Sequence, residues 1–152
     1  MKECIKLFKY RGNTALAKPL SDLMAAFIDR LIIDKTFDLI IPVPIHSNKR
    51  CQRGFNQSEL LSRNISKAMG IPVARDLVKT RNTRPQNVLN RNDRLSNLND
   101  AFCVKDPRHI QKKTVLLIDD VITTCATVNE CAKTLIDSGS GEVYALSLAR
   151  GA

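Results

Sequence analysis

Apolar positions along this chain keep two rhythms, and the rhythms alternate. Leu16, Leu20, Leu23, Met24, Phe27 and Leu31 recur at helical steps, which predicts a one-faced amphipathic helix of about five turns. Leu39, Ile40 and Ile41 run into Pro42 and Pro44, the pattern of a short buried strand stopped by proline. Leu60, Leu61, Ile65, Ala68 and Met69 mark a second helix, ended at Gly70 before Pro72. Val73 to Val78 is a weaker strand candidate. Arg81 to Arg94, rich in Asn, Arg and Gln, reads as a loop leading into a short helix near Asn92 to Leu98. Ala101 to Val104 is a further strand candidate. Val115 to Ile118 is uninterrupted Val, Leu and Ile, as in a strand covered on both faces. Val128, Cys131, Ala132, Leu135 and Ile136 form the next helix, closed by Gly139, and Val143 to Leu148 the last strand. Strands alternating with helices predict one α/β domain over residues 1–152, with a mainly parallel sheet flanked by helices.

Composition narrows the setting. The chain has 152 residues, 43% of them hydrophobic, enough for one proper core. No apolar run approaches the ~20 residues that span a bilayer, so no membrane insertion is expected. Met1 to Lys9 alternates basic and apolar residues without the apolar segment of a secretory leader. A cytoplasmic location is the expectation. Cys4, Cys51, Cys103, Cys125 and Cys131 include no Cys-x-x-Cys pair, and His46 and His109 stand alone. That spacing suits neither a disulfide framework nor a zinc site, so no protein-liganded zinc is expected. Nothing in the sequence sets the oligomeric state.

Charge is uneven. Residues 46–113 carry fifteen Lys and Arg against five Asp and Glu, an excess of ten in a chain whose net charge is +9. Arg outnumbers Lys there, and the guanidinium fork is the better phosphate ligand. A solvated basic surface, a polyphosphorylated small molecule and a nucleic-acid backbone each account for the excess.

The chemistry concentrates after the apolar run at 115–118. Asp119 and Asp120 follow it directly, then a hydroxyl-rich loop with Thr123, Thr124 and Thr127, then the helix. Ligands of parallel sheets bind beyond the carboxyl ends of the strands. The mouth of the next helix offers free N–H groups and a favourable dipole to an anion. Acids for sugar hydroxyls beside a phosphate cradle describe a ribose-5-phosphate pocket. Acids that merely cap a helix are the plainer alternative. A second constellation starts at the earlier strand's end, where Val43, Pro44, Ile45 and His46 precede Lys49, Arg50 and Arg53. A Pro-x-Pro turn there suits exposure of backbone N–H groups to an anion, with Arg53 as a fork of donors. Gly54 and Phe55 are expected to open the next helix, with Phe55 in the core.

The stretch from Val115 to Thr127 resembles the signature of type I phosphoribosyltransferases, which bind 5-phosphoribosyl-1-pyrophosphate (PRPP). Pro42-Val43-Pro44-Ile45-His46, Arg53-Gly54-Phe55-Asn56-Gln57, Arg81-x-Thr83-x-x-Gln86, Arg94-x-x-Asn97, Ala101-Phe102, the Asp-Asp signature and Ser147-Leu148-Ala149-Arg150 together resemble the ComF family over essentially the whole chain. Lys9-Tyr10-Arg11-Gly12 matches it as well. The family's members are phosphoribosyltransferase-like cytoplasmic proteins associated with DNA uptake in natural transformation. The resemblance implies that Asp119 and Asp120 hold the ribose hydroxyls and that Thr123, Thr124, Cys125, Ala126 and Thr127 wrap the 5-phosphate. It puts Val43, Pro44, Ile45 and His46 against pyrophosphate, joined by Arg53, and Arg81, Thr83, Arg84 and Gln86 on a hood that closes over PRPP. Arg94 and Asn97 are typical of the family without a derived role. Mg²⁺ is expected to arrive chelated to PRPP.

The chain departs from the family pattern twice. Cys125 stands where glycine is usual, and glycine there allows φ > 0 and close approach to a phosphate. That puts turnover in doubt. Many members also begin with a cysteine-rich zinc ribbon, and this chain starts just after the point where one would end. The implied activity is phosphoribosyl transfer to an unidentified acceptor with release of pyrophosphate. The alternatives are a non-catalytic DNA-uptake factor binding single-stranded DNA, and a PRPP-sensing regulator. An aromatic content of 5% without Trp argues against the usual stacking platform for single strands.

Overall fold

The computed structural model describes residues 7–8, 14–31, 35–81 and 101–150. Thr83, Arg84, Gln86, Arg94, Asn97, the 9–12 motif and the short helix expected near 92–98 lie outside the described residues. A 3₁₀ turn at Thr14–Leu16 leads into helix α1, Ala17–Leu31. Strand β1 is Leu39–Pro42, α2 is Ser47–Arg53 and α3 is Gln57–Met69. Strands β2, Leu77–Lys79, and β3, Phe102–Val104, follow. Strand β4 is Val115–Ile122, α4 is Ala126–Asp137 and β5 is Val143–Arg150.

The main sheet runs β1-β4-β5, and both pairings are parallel. Parallel neighbours need a crossover between them, which α4 supplies for β4 and β5. The chain after α3 touches the other edge of β1. Ile40 donates to the Pro72 carbonyl and Ala74 donates to the Ile40 carbonyl, both at 2.9 Å, so only Val73 of the expected 73–78 strand bridges the main sheet. Leu77–Lys79 turns away and pairs antiparallel with β3 as a separate ribbon.

Side-chain alternation along β1 and β4 divides the core in two. Leu39, Ile41, Val115 and Leu117 pack with Cys131 and Leu135 of α4 and with Leu77 and Phe102 of the ribbon. Ile40, Leu116 and Ile118 pack on the other face with Leu20, Met24 and Ile28 of α1 and Leu61 and Ile65 of α3. Burying β4 on both faces is what its unbroken apolar run requires.

Three expectations change. The buried stripe of α1 centres on Leu20, Met24 and Ile28, while Leu23 and Phe27 are 51% and 46% exposed. Helical spacing gives the width of a stripe but not its centre. Gly54 does not open a helix. It closes α2 in the left-handed region at φ 78°, and Asn56 caps α3 two residues later. Glycine suits that turn because it has no Cβ to clash. Phe55 behaves as expected, packed against the second core with its ring 6.2 Å from that of Phe8. Finally, β4 runs past Ile118 to Ile122, because β5 stays in register beside it.

Candidate functional site at the carboxyl end of strand β4

Strand β1 leaves the sheet first. Pro42 pairs with Ile118, and Val43 donates to the Ile118 carbonyl at 2.9 Å. Beyond that point β4 keeps only β5, and a crevice opens where β1 departed. Asp119 is the first residue to reach it.

Its carboxylate is held from two directions. Oδ1 accepts the N–H of Asp120 at 2.8 Å and the hydroxyl of Ser58 at 3.1 Å. Asp120 is 6% exposed, and its Oδ1 accepts the Val121 N–H at 2.8 Å. Residues 123–125 then bend into α4. Cys125 occupies the N-cap position with φ 58° and ψ −5° and no side-chain cap bond. Its carbonyl accepts the Asn129 N–H at 2.8 Å. A cysteine thus occupies the left-handed conformation that glycine adopts without strain. Asp119 and residues 121–128 line one cavity that is open to solvent. The structure therefore brings Asp119, Thr123, Thr124, Cys125, Ala126 and Thr127 together. Asp120 lies beneath and does not line the cavity.

The second constellation flanks the crevice. Val43 is buried, and Pro44, Ile45 and His46 are half-buried. Asn56 fixes this segment by donating from Nδ2 to the Val43 carbonyl at 3.1 Å. His46 caps α2, its Nδ1 accepting the Asn48 N–H at 3.3 Å. Arg53 ends α2. Arg81 is exposed at the end of the described ribbon.

Some residues near the site carried no local signal. Glu59 is 6% exposed and pairs with Arg50 at 3.3 Å, Arg63 at 2.7 Å and Arg75 at 2.9 Å. Arg50, part of the basic stretch at 46–113, thus has a carboxylate partner within the fold. Lys79 sits over the Phe102 ring at 5.3 Å. Burial first, then the like charge of Lys49, pushes its ammonium down to about 8, and the Cys131 thiol opposes this. Burial, followed by the charge of Asp119, pushes the Cys131 thiol far up, which makes it an inert core group. A lysine in the brief apolar strand Leu77-Val78-Lys79 was the one signal available. Among the described residues no three His, Cys, Asp or Glu side chains converge on a metal position. No helix among them is long and apolar enough to cross a membrane.

No protein-family model matches the chain. Competence protein F of Haemophilus influenzae is 38% identical to it over 151 residues, 96% of this chain and 66% of that protein. The chain belongs to the ComF family. Competence protein ComFC of Bacillus subtilis is 28% identical over 91% of this ComF chain and 55% of its own length. DNA utilization protein YhgH of Escherichia coli K12 is 35% identical over 74% and 49%. The ComF chain thus spans 66% of the Haemophilus protein and about half of the other two. Among solved structures, an adenine phosphoribosyltransferase superposes with a TM-score of 0.61 at 12% identity, over 91% of this chain and 72% of that one. The glutamine PRPP amidotransferase of B. subtilis gives 0.58 at 17% identity, over 88% and 26%. At such identities the likeness concerns the fold, and the ComF chain has the type I phosphoribosyltransferase fold.

Proposed function

We propose that the site binds Mg²⁺-PRPP and transfers its phosphoribosyl group to an acceptor, releasing pyrophosphate, in the service of DNA uptake. The observation that carries this reading is that Asp119 and the loop at 121–128 line the same cavity. Carboxylate oxygens accept from the ribose hydroxyls. Backbone N–H groups and threonine hydroxyls at the mouth of α4 donate to the 5-phosphate. The segment 43–46 and Arg81 face the pyrophosphate. The bond from the anomeric carbon to pyrophosphate breaks, the bond to the acceptor forms, and the sugar passes through an oxocarbenium-like state. These residues orient the sugar, hold the leaving group and keep water from the cation. Magnesium belongs to the substrate, keeps much of its water there and neutralises phosphate charge.

The names of the relatives support the DNA-uptake setting, and the solved fold neighbours include enzymes named for PRPP. A second reading rests on the like charges of Lys49 and Lys79, close enough to repel one another: a binder of single-stranded DNA without turnover. A titration decides between them. Millimolar PRPP with Mg²⁺ should raise the melting temperature, because it binds only the folded state. An unmoved melting temperature sinks the PRPP reading. A shift with single-stranded DNA alone, at low salt, favours the second.

A further inference from the structure

The first turn of α3 touches both walls of the candidate site. Asn56, its cap, donates through Nδ2 to the Val43 carbonyl at 3.1 Å, while its Oδ1 accepts the Ser58 N–H at 3.1 Å. Two residues on, the Ser58 hydroxyl donates to Asp119 Oδ1 at 3.1 Å. Asn56 and Ser58 are 7% and 3% exposed. Side chains so buried are almost always hydrogen-bonded. Here their partners are one group on the pyrophosphate-facing segment and one on the ribose-facing acid. The same turn carries Glu59, which clamps Arg50 of α2 and Arg75 ahead of β2. A helical turn anchored that way is a rigid spacer.

We propose that Asn56 and Ser58 are positioning residues that set, from one helical turn, the separation between the 43–46 segment and the Asp119 carboxylate. The inference rests on the PRPP reading of the site. Asn56 serves the pyrophosphate half and Ser58 the ribose half, and neither touches the ligand. An extended, multiply charged ligand needs both halves at a fixed spacing, because misplacement of about 1 Å is costly in oriented sites.

Calorimetric titrations of the wild type, Asn56→Ser and Ser58→Ala with Mg²⁺-PRPP, Mg²⁺-pyrophosphate and ribose 5-phosphate test it. Serine retains the helix cap but cannot reach Val43. Asn56→Ser should weaken pyrophosphate and spare ribose 5-phosphate, and Ser58→Ala should do the reverse. Each loss should be about three- to tenfold, the weight of one hydrogen bond. Both variants should weaken PRPP, with ligand-free melting within a few degrees of the wild type. Wild-type affinity in both variants overturns the proposal. So does equal weakening of both half-ligands by each variant, which marks a structural role only. Amide exchange without ligand separates the two readings. Faster exchange confined to 43–46 in Asn56→Ser and to 119–125 in Ser58→Ala supports positioning even if the wild type binds no PRPP. Unchanged exchange in both segments overturns it.

Discussion

Arg75 Nε lies 2.9 Å from Glu59 Oε1, tying the approach to β2 to the first turn of α3. The carboxylate is buried, while its three arginines are about half exposed. Removing one partner of a fully buried pair costs about 3–5 kcal/mol, and solvent screening lowers that here. Glu59→Gln should therefore destabilise the fold by about 1–2 kcal/mol, read as a lower urea midpoint at unchanged slope. A midpoint equal to the wild type's would mean that the arginines lean on solvent instead.

Cys125 carries a strain that can be released. Its φ of 58° lies in the left-handed region, a cost of about 1–3 kcal/mol for a side chain with a Cβ. Glycine loses about 0.5–1 kcal/mol of that advantage through its freer unfolded chain. Cys125→Gly should stabilise the protein by about 0.5–1 kcal/mol and tighten PRPP binding. Chemical denaturation and calorimetry measure the two effects, and a less stable variant would falsify the strain argument.

Asp120 and Thr127 test different depths of the pocket. Thr127→Ala removes a hydroxyl from the cavity wall and should cost about tenfold in PRPP affinity, as for a hydrogen bond to a charged group. Asp120→Asn keeps an oxygen for the Val121 N–H but removes a buried charge. The amide oxygen holds the Val121 N–H of the cavity wall less firmly than the carboxylate does, so the variant should lower PRPP affinity while ligand-free stability stays close to the wild type's. PRPP affinity equal to the wild type's in both variants would detach the pocket from the ligand.

Lys79 gives a pH signature. Its folded-state value of about 8 is depressed below 10.5, so between those limits the unfolded chain binds more protons. Stability then rises with pH across that window, and the penalty of the buried charge is complete below about pH 8. Lys79→Met should stabilise the protein at pH 7 by about 1 kcal/mol, discounted for partial solvent access. That gain should disappear by about pH 10.5. Denaturation at pH 7, 9 and 10.5 measures it, and a gain independent of pH would point to packing alone.

If single-stranded DNA binds, Arg81→Ala should weaken it equally for all sequences, because phosphate contacts carry no base information. The slope of log affinity against log salt should fall by about 0.7 for one lost contact. Fluorescence anisotropy between 50 and 200 mM salt, roughly the range over which counterion release acts, reads both. A slope identical to the wild type's removes Arg81 from the interface.

The local pattern revealed what local physics determines. Val115 to Ile118 announces a strand covered on both faces, and its position beside two acids locates the cavity. Gly70, at φ 72°, ends α3 where expected. Helix α2 gave no such sign, because Ser47–Arg53 has no apolar periodicity. Its ends are set instead by His46 at one side and by Gly54 at the other. The Ser58–Asp119 bond and the Glu59 cluster join residues distant in sequence, and no local rhythm encodes such meetings. Asp119 and Asp120 look equivalent in the sequence, yet only Asp119 faces the cavity. A period-two strand turns neighbours to opposite sides.

The two acids accept hydrogen bonds from the backbone immediately after them, Asp119 from Asp120 and Asp120 from Val121. Such short loops lock the χ angles of both side chains before any ligand arrives. Much of the rotamer entropy that binding usually removes is therefore already lost on folding. On the PRPP reading, affinity at this end of β4 turns on how well the ribose matches a fixed mould, so discrimination should appear mainly in dissociation rates.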